Sequence, residues 1–318
     1  MQMILNELSA RFPLPSIEGA KELMDTFLDT CFAVRKIIHN ESILLDQDYK
    51  SFELASDYRI EQWRNDPTVD IENKRKFRVL LNKSVVYNSA EFEQEKGWDF
   101  RTEFQHREHV SKGCLLVYEM DGVAVSFLSD EHWRTSEIEG DYIELADDGE
   151  LREQEVKIPN VSFDGNVEIF REYYAQKKAE WRYTDIISGE DVLRHAEKAF
   201  PNLVFCESAV LGCRKNVGVS EAGQVYKRLL ELQRAAEGMG NMFDKKLLPK
   251  ATPESKVTLE RFEEEHTFRL PDGSTELFSW HTRYTGGYAG RIFFYPRPEK
   301  KVIYIGHVGH KLPTVSYH

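Results

Sequence analysis

The sequence predicts an α+β protein in which a larger mixed domain precedes a smaller one built on an antiparallel sheet. Apolar residues recur at three- and four-residue spacing in several segments before residue 266, which is typical of amphipathic helices. After residue 266 the period becomes two and turn residues separate the runs, which is typical of strands. The 318 residues also exceed the roughly 100–200 residues of one domain, so two domains are expected.

The N-terminal domain, residues 1–187, is predicted to contain both helices and strands. Ser16 is the expected N-cap of a first amphipathic helix, and a second helix is expected over residues 71–81. Two apolar runs flank Asp121-Gly122 within residues 113–128, which predicts a β-hairpin. Further elements expected in this domain are strands near residues 142–145 and 155–158 and a helix near residues 167–181.

The C-terminal domain, residues 188–318, is predicted to place helices before its sheet. Ser188-Gly-Glu-Asp191 has the spacing of a capping box and opens a short helix to Ala199. A strand near residue 203, a helix N-capped by Ser220 and a helix over residues 252–265 are expected next. An antiparallel meander then follows, with strands expected near residues 267–270, 277–284, 291–295 and 301–305.

Composition and charge exclude several classes of protein. Apolar residues make up 41% and charged residues 30%, which is a globular composition. A net charge of −12 argues against electrostatic binding of nucleic acid or anionic membranes by the chain as a whole. The N-terminus lacks the pattern of a secretory signal, and no apolar run approaches the roughly 18 residues of a membrane span. We therefore expect a cytoplasmic protein without a membrane partner.

Neither a metal nor a cofactor is expected. Four cysteines, at positions 31, 114, 206 and 213, form no CxxC pair, so reduced buried thiols are predicted. His106, His109 and Cys114 lie close in sequence, but their spacing fixes no complete ligand set.

The C-terminal strands are basic, unlike the rest of the chain. Residues 278–318 contain six Lys or Arg against the single acid Glu299, a net charge of +5, which leaves −17 for residues 1–277. Four of the ten histidines and five tyrosines are interleaved with these cations. This combination can bind phosphate, stack on bases and exchange protons near neutral pH. The alternative is a solvated strand face whose charge offsets an acidic body.

The same segment resembles a known family of toxins. It reads Gly290-Arg291-Ile-Phe-Phe-Tyr, then a turn, then Lys301-Val-Ile-Tyr-Ile-Gly306-His-Val-Gly309-His310-Lys311 and a final Tyr317. This pattern is similar to the C-terminal signature of the RelE-type toxin endoribonucleases, and the specific match covers roughly residues 280–318. The resemblance implies a small RelE-like domain with an antiparallel sheet and two or three helices.

The resemblance also implies site residues. Arg291 corresponds to the arginine that holds the scissile phosphate, Lys311 to the residue that stabilises transition-state charge, and Tyr317 to the closing aromatic. His310 replaces the adjacent basic residue. His281 stands on the strand where the family commonly carries lysines, so His281 or His310 is expected to exchange protons. Residues expected to bind RNA are Arg283, Tyr288, Lys300, Lys301 and His307.

The resemblance implies a metal-independent endoribonuclease that cleaves RNA by 2′-hydroxyl attack. Expected partners are RNA, including ribosome-associated mRNA, and an antitoxin or another protein of a bacterial stress or anti-phage defence system. The N-terminal domain is expected to regulate or to bind a partner. The alternative is a non-enzymatic interaction protein that uses a toxin-like sheet to bind protein or nucleic acid. The first hypothesis requires Arg291, Lys311, His281 and Tyr317 to converge on one exposed concave face.

Overall fold

The computed structural model describes residues 1–87, 102–145, 150–181, 186–248, 250–285 and 288–315. These residues form two units. The first unit ends at Glu180. The second begins at Trp181 and also includes residues 145 and 150. The division lies a few residues before the predicted boundary at residue 188. Helices and mixed sheets together confirm the predicted α+β class.

The described residues contain ten α-helices and seventeen strands. The helices are α1 (Ile17–Ile38), α2 (Ile60–Asn65), α3 (Ile71–Asn82), α4 (Lys112–Glu119), α5 (Asp164–Trp181), α6 (Gly189–Ala199), α7 (Glu207–Asn216), α8 (Val219–Gly238), α9 (Lys256–Arg261) and α10 (Glu263–His266). The strands are β1 (Met3–Leu5), β2 (Ile43–Asp46), β3 (Glu53–Ala55), β4 (Tyr58–Arg59), β5 (Ser84–Tyr87), β6 (Thr102–His106), β7 (His109–Val110), β8 (Val123–Val125), β9 (Glu137–Leu145), β10 (Leu151–Val161), β11 (Leu203–Phe205), β12 (Ala251–Pro253), β13 (Thr267–Arg269), β14 (Thr275–Leu277), β15 (Trp280–Thr285), β16 (Ala289–Arg297) and β17 (Val302–His310).

The first unit is built on an eight-stranded sheet in the order β5-β2-β1-β8-β10-β9-β6-β7. Strands β5, β2, β1, β8 and β10 run parallel, whereas β6 pairs antiparallel with β7 and β9. Every residue of β1 and β8 is buried, as expected where both faces of a parallel sheet are covered. Phe27 of α1 stacks on Phe127 at 4.2 Å between ring centroids, in the core of this unit.

Several predictions for this unit are confirmed. Helix α1 begins after Ser16, whose hydroxyl accepts a hydrogen bond from the backbone N–H of Gly19 at 3.1 Å. Helices α3 and α5 and strands β9 and β10 cover the segments in which they are predicted. All four cysteines of the chain are buried, as predicted.

The predicted hairpin over residues 113–128 is wrong. Its first half is helix α4, and its second half is β8, which pairs in parallel with β1 and β10. The turn at Asp121 exists, with a left-handed φ of 48°, but it joins a helix to a strand.

Hydrogen bonds at the N-terminus of α4 explain why this segment is a helix and not the predicted strand. Ser111 accepts a hydrogen bond from the backbone N–H of Cys114, and the carboxylate of Glu7 accepts hydrogen bonds from the N–H groups of Lys112 and Gly113 at 2.7 and 3.0 Å. These groups are the orphan donors that every helix start must satisfy. Because Glu7 comes from about one hundred residues away, no local pattern reveals it.

The second unit is built on a five-stranded sheet in the order β11-β17-β16-β15-β12. Strand β11 is parallel to β17, and the other neighbours are antiparallel. Helices α6, α7 and α8 contribute to the apolar core on one face of this sheet. The side chains of that face that enter the core include Tyr284, Ile292 and Val308, which are completely buried.

The predicted meander is confirmed for β15, β16 and β17, but its flanks differ. Strands β13 and β14 form a separate two-stranded sheet. The helix predicted over residues 252–265 is confirmed only from residue 256 onward: the segment begins as β12, Ser255 then caps the short helix α9, and α10 follows it. Ser220 is not an N-cap: Gly218 takes that position, and its N–H donates to the carboxylate of Glu221 at 3.0 Å.

Strand β17 carries one extra residue. Phe293 pairs with His307, and the next residue, Phe294, pairs with Ile305. Gly306 is therefore a β-bulge, at which two residues of one strand oppose one of its partner. A Cβ on Gly306 would lie 2.5 Å from the ring of Phe268, so this position has room only for glycine.

Replacing Gly212 with alanine tests how closely α7 approaches β17. A Cβ on Gly212 would lie 2.2 Å from the carbonyl oxygen of Val308, which is backbone and cannot rotate away. We expect Gly212→Ala to lower the free energy of unfolding by about 1–3 kcal/mol, as overpacking does. Chemical denaturation measures the change.

Gly238 of α8 provides the matched control. Its Cβ would meet Leu247 at 3.8 Å, an ordinary contact. We expect Gly238→Ala to leave stability unchanged or to raise it by up to about 1 kcal/mol. Equal effects of the two substitutions would contradict close helix–strand packing at Gly212.

Candidate functional site

One face of the second unit's sheet gathers charged and titratable side chains. Residues directly opposite on antiparallel strands share a face. Arg283 of β15 lies opposite Arg291 of β16, and His281 lies opposite Phe293. Thr252 lies opposite His281 on β12, which is the other neighbour of β15. We call this surface the histidine face, defined by Thr252, Glu254, His281, Arg283, Arg291, Phe293 and His307.

The imidazole of His281 is held from both sides. Its Nδ1 lies 3.0 Å from Oε1 of Glu254, and its Nε2 lies 3.1 Å from Oγ1 of Thr252. The side chains of His281 and Glu254 are only 8% and 5% exposed. A carboxylate on one ring nitrogen fixes the ring orientation and leaves the other nitrogen to exchange protons with a hydroxyl.

The protonation of this pair follows from burial and nearby charge. Burial lowers the pKa of His281, and the guanidinium groups of Arg291 and Arg283 lower it further, although Glu254 acts in the opposite direction. The neutral imidazole is therefore favoured near pH 7, and the carboxylate 3.0 Å from Nδ1 favours the tautomer that carries its proton there. Its Nε2 is then free of a proton and can accept one.

Glu254 remains ionised despite its burial. Burial alone would raise the pKa of the carboxyl, but His281, His266 and Lys311 outweigh it and lower the pKa to about 2. A buried carboxylate is stable only when cations and hydrogen bonds compensate its lost hydration.

Three imidazoles surround the ring of Phe293. The ring centroids of His266, His281 and His307 lie 5.0, 5.2 and 6.1 Å from that of Phe293. His266 contacts the carbonyl of Pro313 through Nε2 at 3.0 Å, and His307 contacts the carbonyl of His310 at 2.9 Å. Since a carbonyl can only accept, each imidazole donates here. Two histidines thus hold the end of β17 and the segment that follows it.

Several predicted catalytic residues converge, although not on an open surface. Arg291 and His281 share the histidine face, and the charge of Lys311 acts on Glu254. Arg291 is 4% exposed and His281 7%, whereas Lys311 and Arg283 are half-buried. The expected exposed concave face is therefore a largely buried polar cluster with partly exposed cations. Tyr317 lies outside the described residues.

His310 and Tyr288 lie apart from the histidine face. His310 pairs opposite Gly290, which places it on the other side of the sheet from Arg291. Its ring stacks on Tyr288 at 3.9 Å between centroids. The hydroxyl of Tyr288 donates to the carbonyl of Asn216 at 2.7 Å, which fixes the stack. These two residues form a partly exposed aromatic pair rather than part of the His281 cluster.

The predicted RNA-binding lysines lie elsewhere. Lys300 and Lys301 occupy the turn between β16 and β17, at the end of this hairpin away from Arg291. Arg297, at the turn, lies six positions along β16 from Arg291, a distance of about 20 Å. His307 and Arg283, in contrast, belong to the histidine face.

Sequence reasoning missed three members of the histidine face, namely Thr252, Glu254 and Phe293. It also missed His266, whose ring packs against Phe293. The segment that contains Thr252 and Glu254 was expected to be helical. In the extended segment that the structure shows, alternate side chains share one face, which brings both residues next to His281. The one available signal was the isolated Thr-Pro-Glu sequence before Ser255, because proline interrupts a helical reading.

Comparisons with protein-family models, with curated proteins and with solved structures found no match to this chain. Among the described residues, no group of three or more His, Cys, Asp or Glu is arranged to hold a metal ion. In the same residues, no helix has both the length and the apolar character that crossing a membrane requires.

The coupling between Glu254 and His281 is testable by histidine NMR. We expect the imidazole of His281 to titrate with a midpoint below its ordinary value of about 6.5, because burial disfavours the cation. Glu254→Gln removes the charge that favours the imidazolium, so the midpoint should fall further. Glu207→Gln, at an exposed glutamate of α7, is the control and should leave it unchanged. A midpoint that rises in Glu254→Gln would contradict the pairing.

Proposed function

We propose that the second unit is a metal-independent endoribonuclease in which His281 is the general base. The observation that carries this proposal is the position of His281, between the carboxylate of Glu254 and the hydroxyl of Thr252 and beside cationic side chains. A neutral imidazole with an oriented ring is suited to remove a proton from a hydroxyl. Neighbouring cations are suited to stabilise a phosphorane.

The proposed reaction requires the ribose 2′-hydroxyl to replace Thr252 Oγ1 as the partner of Nε2. His281 accepts the hydroxyl proton, and the 2′-oxygen forms a bond to phosphorus. Arg291 and Arg283 balance the charge on the phosphorane. The bond from phosphorus to the 5′-oxygen breaks, and the ammonium of Lys311 supplies the proton to that oxygen. The products are a 2′,3′-cyclic phosphate and a 5′-hydroxyl.

Glu254 has a positioning role in this scheme. It keeps the Nδ1 proton of His281 in place and stabilises the imidazolium that forms, without touching the substrate. The stacked pair of His310 and Tyr288 lies on the opposite side of the sheet and has no part in this step. The substrate class is RNA, including ribosome-bound mRNA, because the reaction needs the 2′-hydroxyl.

The first unit is then the regulatory or partner-binding part of the proposed toxin. An antitoxin or another protein of a bacterial stress or anti-phage defence system is the partner that this role requires. The proposed site of action is the cytoplasm, where ribosomes and their mRNA are found.

Burial of the central residues favours a second candidate function. Arg291 and His281 are 4% and 7% exposed, so substrate reaches them only if the covering groups move. In a non-enzymatic interaction protein, the histidine face would stabilise the sheet, and exposed groups such as His310 and Lys300 would contact a protein or nucleic acid. This candidate predicts binding without cleavage.

Cleavage by the full-length chain, with EDTA present, separates the two functions. We expect fragments that end in a 2′,3′-cyclic phosphate from an RNA oligonucleotide and none from its all-deoxy counterpart. His281→Asn should lower the rate by about 10²- to 10⁴-fold, which is the usual contribution of a general base. Arg291→Ala should abolish detectable cleavage. End-group analysis of labelled fragments measures both effects.

Arg214→Ala is the matched control, because Arg214 is exposed on α7 and pairs only at the surface with Glu190. It should cleave at the wild-type rate. Thermal unfolding followed by circular dichroism shows whether each variant is folded. Cleavage of the all-deoxy strand, or full activity in folded His281→Asn, would rule out the mechanism. RNA binding without cleavage by the wild type would support the second candidate.

The pH dependence of cleavage tests the role of Glu254. A base whose pKa lies below 6.5 gives an acid limb on which the rate falls as the pH drops below that pKa. Glu254→Gln should move this acid limb of kcat/KM to lower pH, because the carboxylate raises the pKa of His281. A purely structural role would lower the rate equally at every pH. Glu207→Gln should leave the profile unchanged.

A further inference from the structure

The first unit contains a cavity that the proposed cleavage does not use. Its volume is about 390 Å³, and it is lined chiefly by Phe12, His106, Arg107, His109, His132 and Trp133. Sites for small molecules commonly measure about 300–1,000 Å³, so this cavity can enclose one small ligand. It is formed beside the β6–β7 hairpin and the short 3₁₀ helix Glu131–Arg134.

Aromatic rings make up most of its wall. The rings of His106 and His132 are nearly parallel, with an angle of 14° between their planes, and Trp133 packs 4.1 Å from His132 between centroids. Phe12 meets His132 edge-on at 5.1 Å. Phe12 is 38% exposed, so its ring is available to an incoming molecule. Such walls favour a flat ring system that stacks.

The two histidine rings are fixed before any ligand arrives. The Nδ1 of His106 donates to the carbonyl oxygen of Glu139 at 2.7 Å, and burial lowers its pKa, so this imidazole is neutral. The Nδ1 of His132 lies 2.6 Å from Oδ1 of Asp130. Side chains ordered in advance lose little conformational entropy on binding, which strengthens binding.

The rim supplies positive charge at an unusual backbone position. Arg107 is exposed and has a left-handed φ of 56° in the tight turn between β6 and β7. Glycine or asparagine is the usual residue at such a turn position, and a long side chain there is uncommon. Residues held in sparsely populated conformations are concentrated at functional sites. His109 and Glu108 lie beside it on the rim.

We propose that this cavity binds a mononucleotide. The base stacks on the ring of Phe12 and turns an edge toward His132, the phosphate contacts Arg107 and His109, and Glu108 accepts hydrogen bonds from the ribose hydroxyls. The cavity is too small for more than one nucleotide of a strand. The same chemistry is offered by a free 5′-mononucleotide and by the terminal nucleotide of an RNA. The inference does not depend on cleavage by the second unit.

Isothermal titration calorimetry with the full-length chain tests this proposal. The probes are AMP, GMP, CMP and UMP, the corresponding nucleosides, and a 5′-phosphorylated RNA tetramer. We expect at least one nucleotide to bind the wild type. Phe12→Ala should weaken that binding by about 5- to 150-fold, the range for loss of one base–aromatic stack. Tighter binding of the tetramer than of any mononucleotide would identify an RNA end as the ligand.

Arg107→Asn separates the phosphate contact from the stack. Asparagine accepts the left-handed conformation, so the turn should be retained, which thermal unfolding checks. We expect this variant to lose affinity for the nucleotide but not for the nucleoside. Arg78→Gln, at an exposed arginine of α3, is the control and should bind both as the wild type does. No binding to the wild type, or unchanged nucleotide affinity in Arg107→Asn and Phe12→Ala, would overturn the proposal.

Discussion

The pairing register of β15, β16 and β17 is the constraint on which the second unit depends. Alternate side chains of these strands point either into the helix-covered core or onto the histidine face. A shift by one residue would place Arg291 where Ile292 packs, which would bury a guanidinium among apolar groups. The apolar packing that stabilises the sheet therefore also brings His281, Arg283 and Arg291 together.

Burial of Glu254 and His281 together contributes little to the stability of the fold. A buried pair of an ionised carboxylate and a neutral imidazole contributes little net stability, because lost hydration offsets their attraction. Apolar residues would stabilise the same space equally well. Their presence is easier to explain by proton transfer than by folding, and this argument favours the enzymatic candidate over the structural one.

Local patterns in the sequence predicted local structure well and distant contacts poorly. The N-caps Ser16 and Ser188 and the strands of the meander follow from short-range spacing, and the structure contains them. The hairpin expected around Asp121 failed because Glu7 stabilises a helix start from far away in the chain. In the candidate site, the resemblance to the toxin family singled out His281 and Arg291, and the structure places both on the histidine face. Glu254 was missed, because its contact with His281 depends on which strand pairs with β15.

The bulge at Gly306 determines which face of the sheet the last side chains of β17 occupy. The bulge at this residue reverses the side-chain alternation, and it is the reason that Tyr304 and His307 emerge on the same side of the sheet. If Gly306 paired in the ladder instead of bulging, His307 would turn toward the helices and Val308 toward the cations, with every side chain retained. The position of the site thus depends on one irregularity of the backbone, which a search for conserved side-chain motifs would overlook.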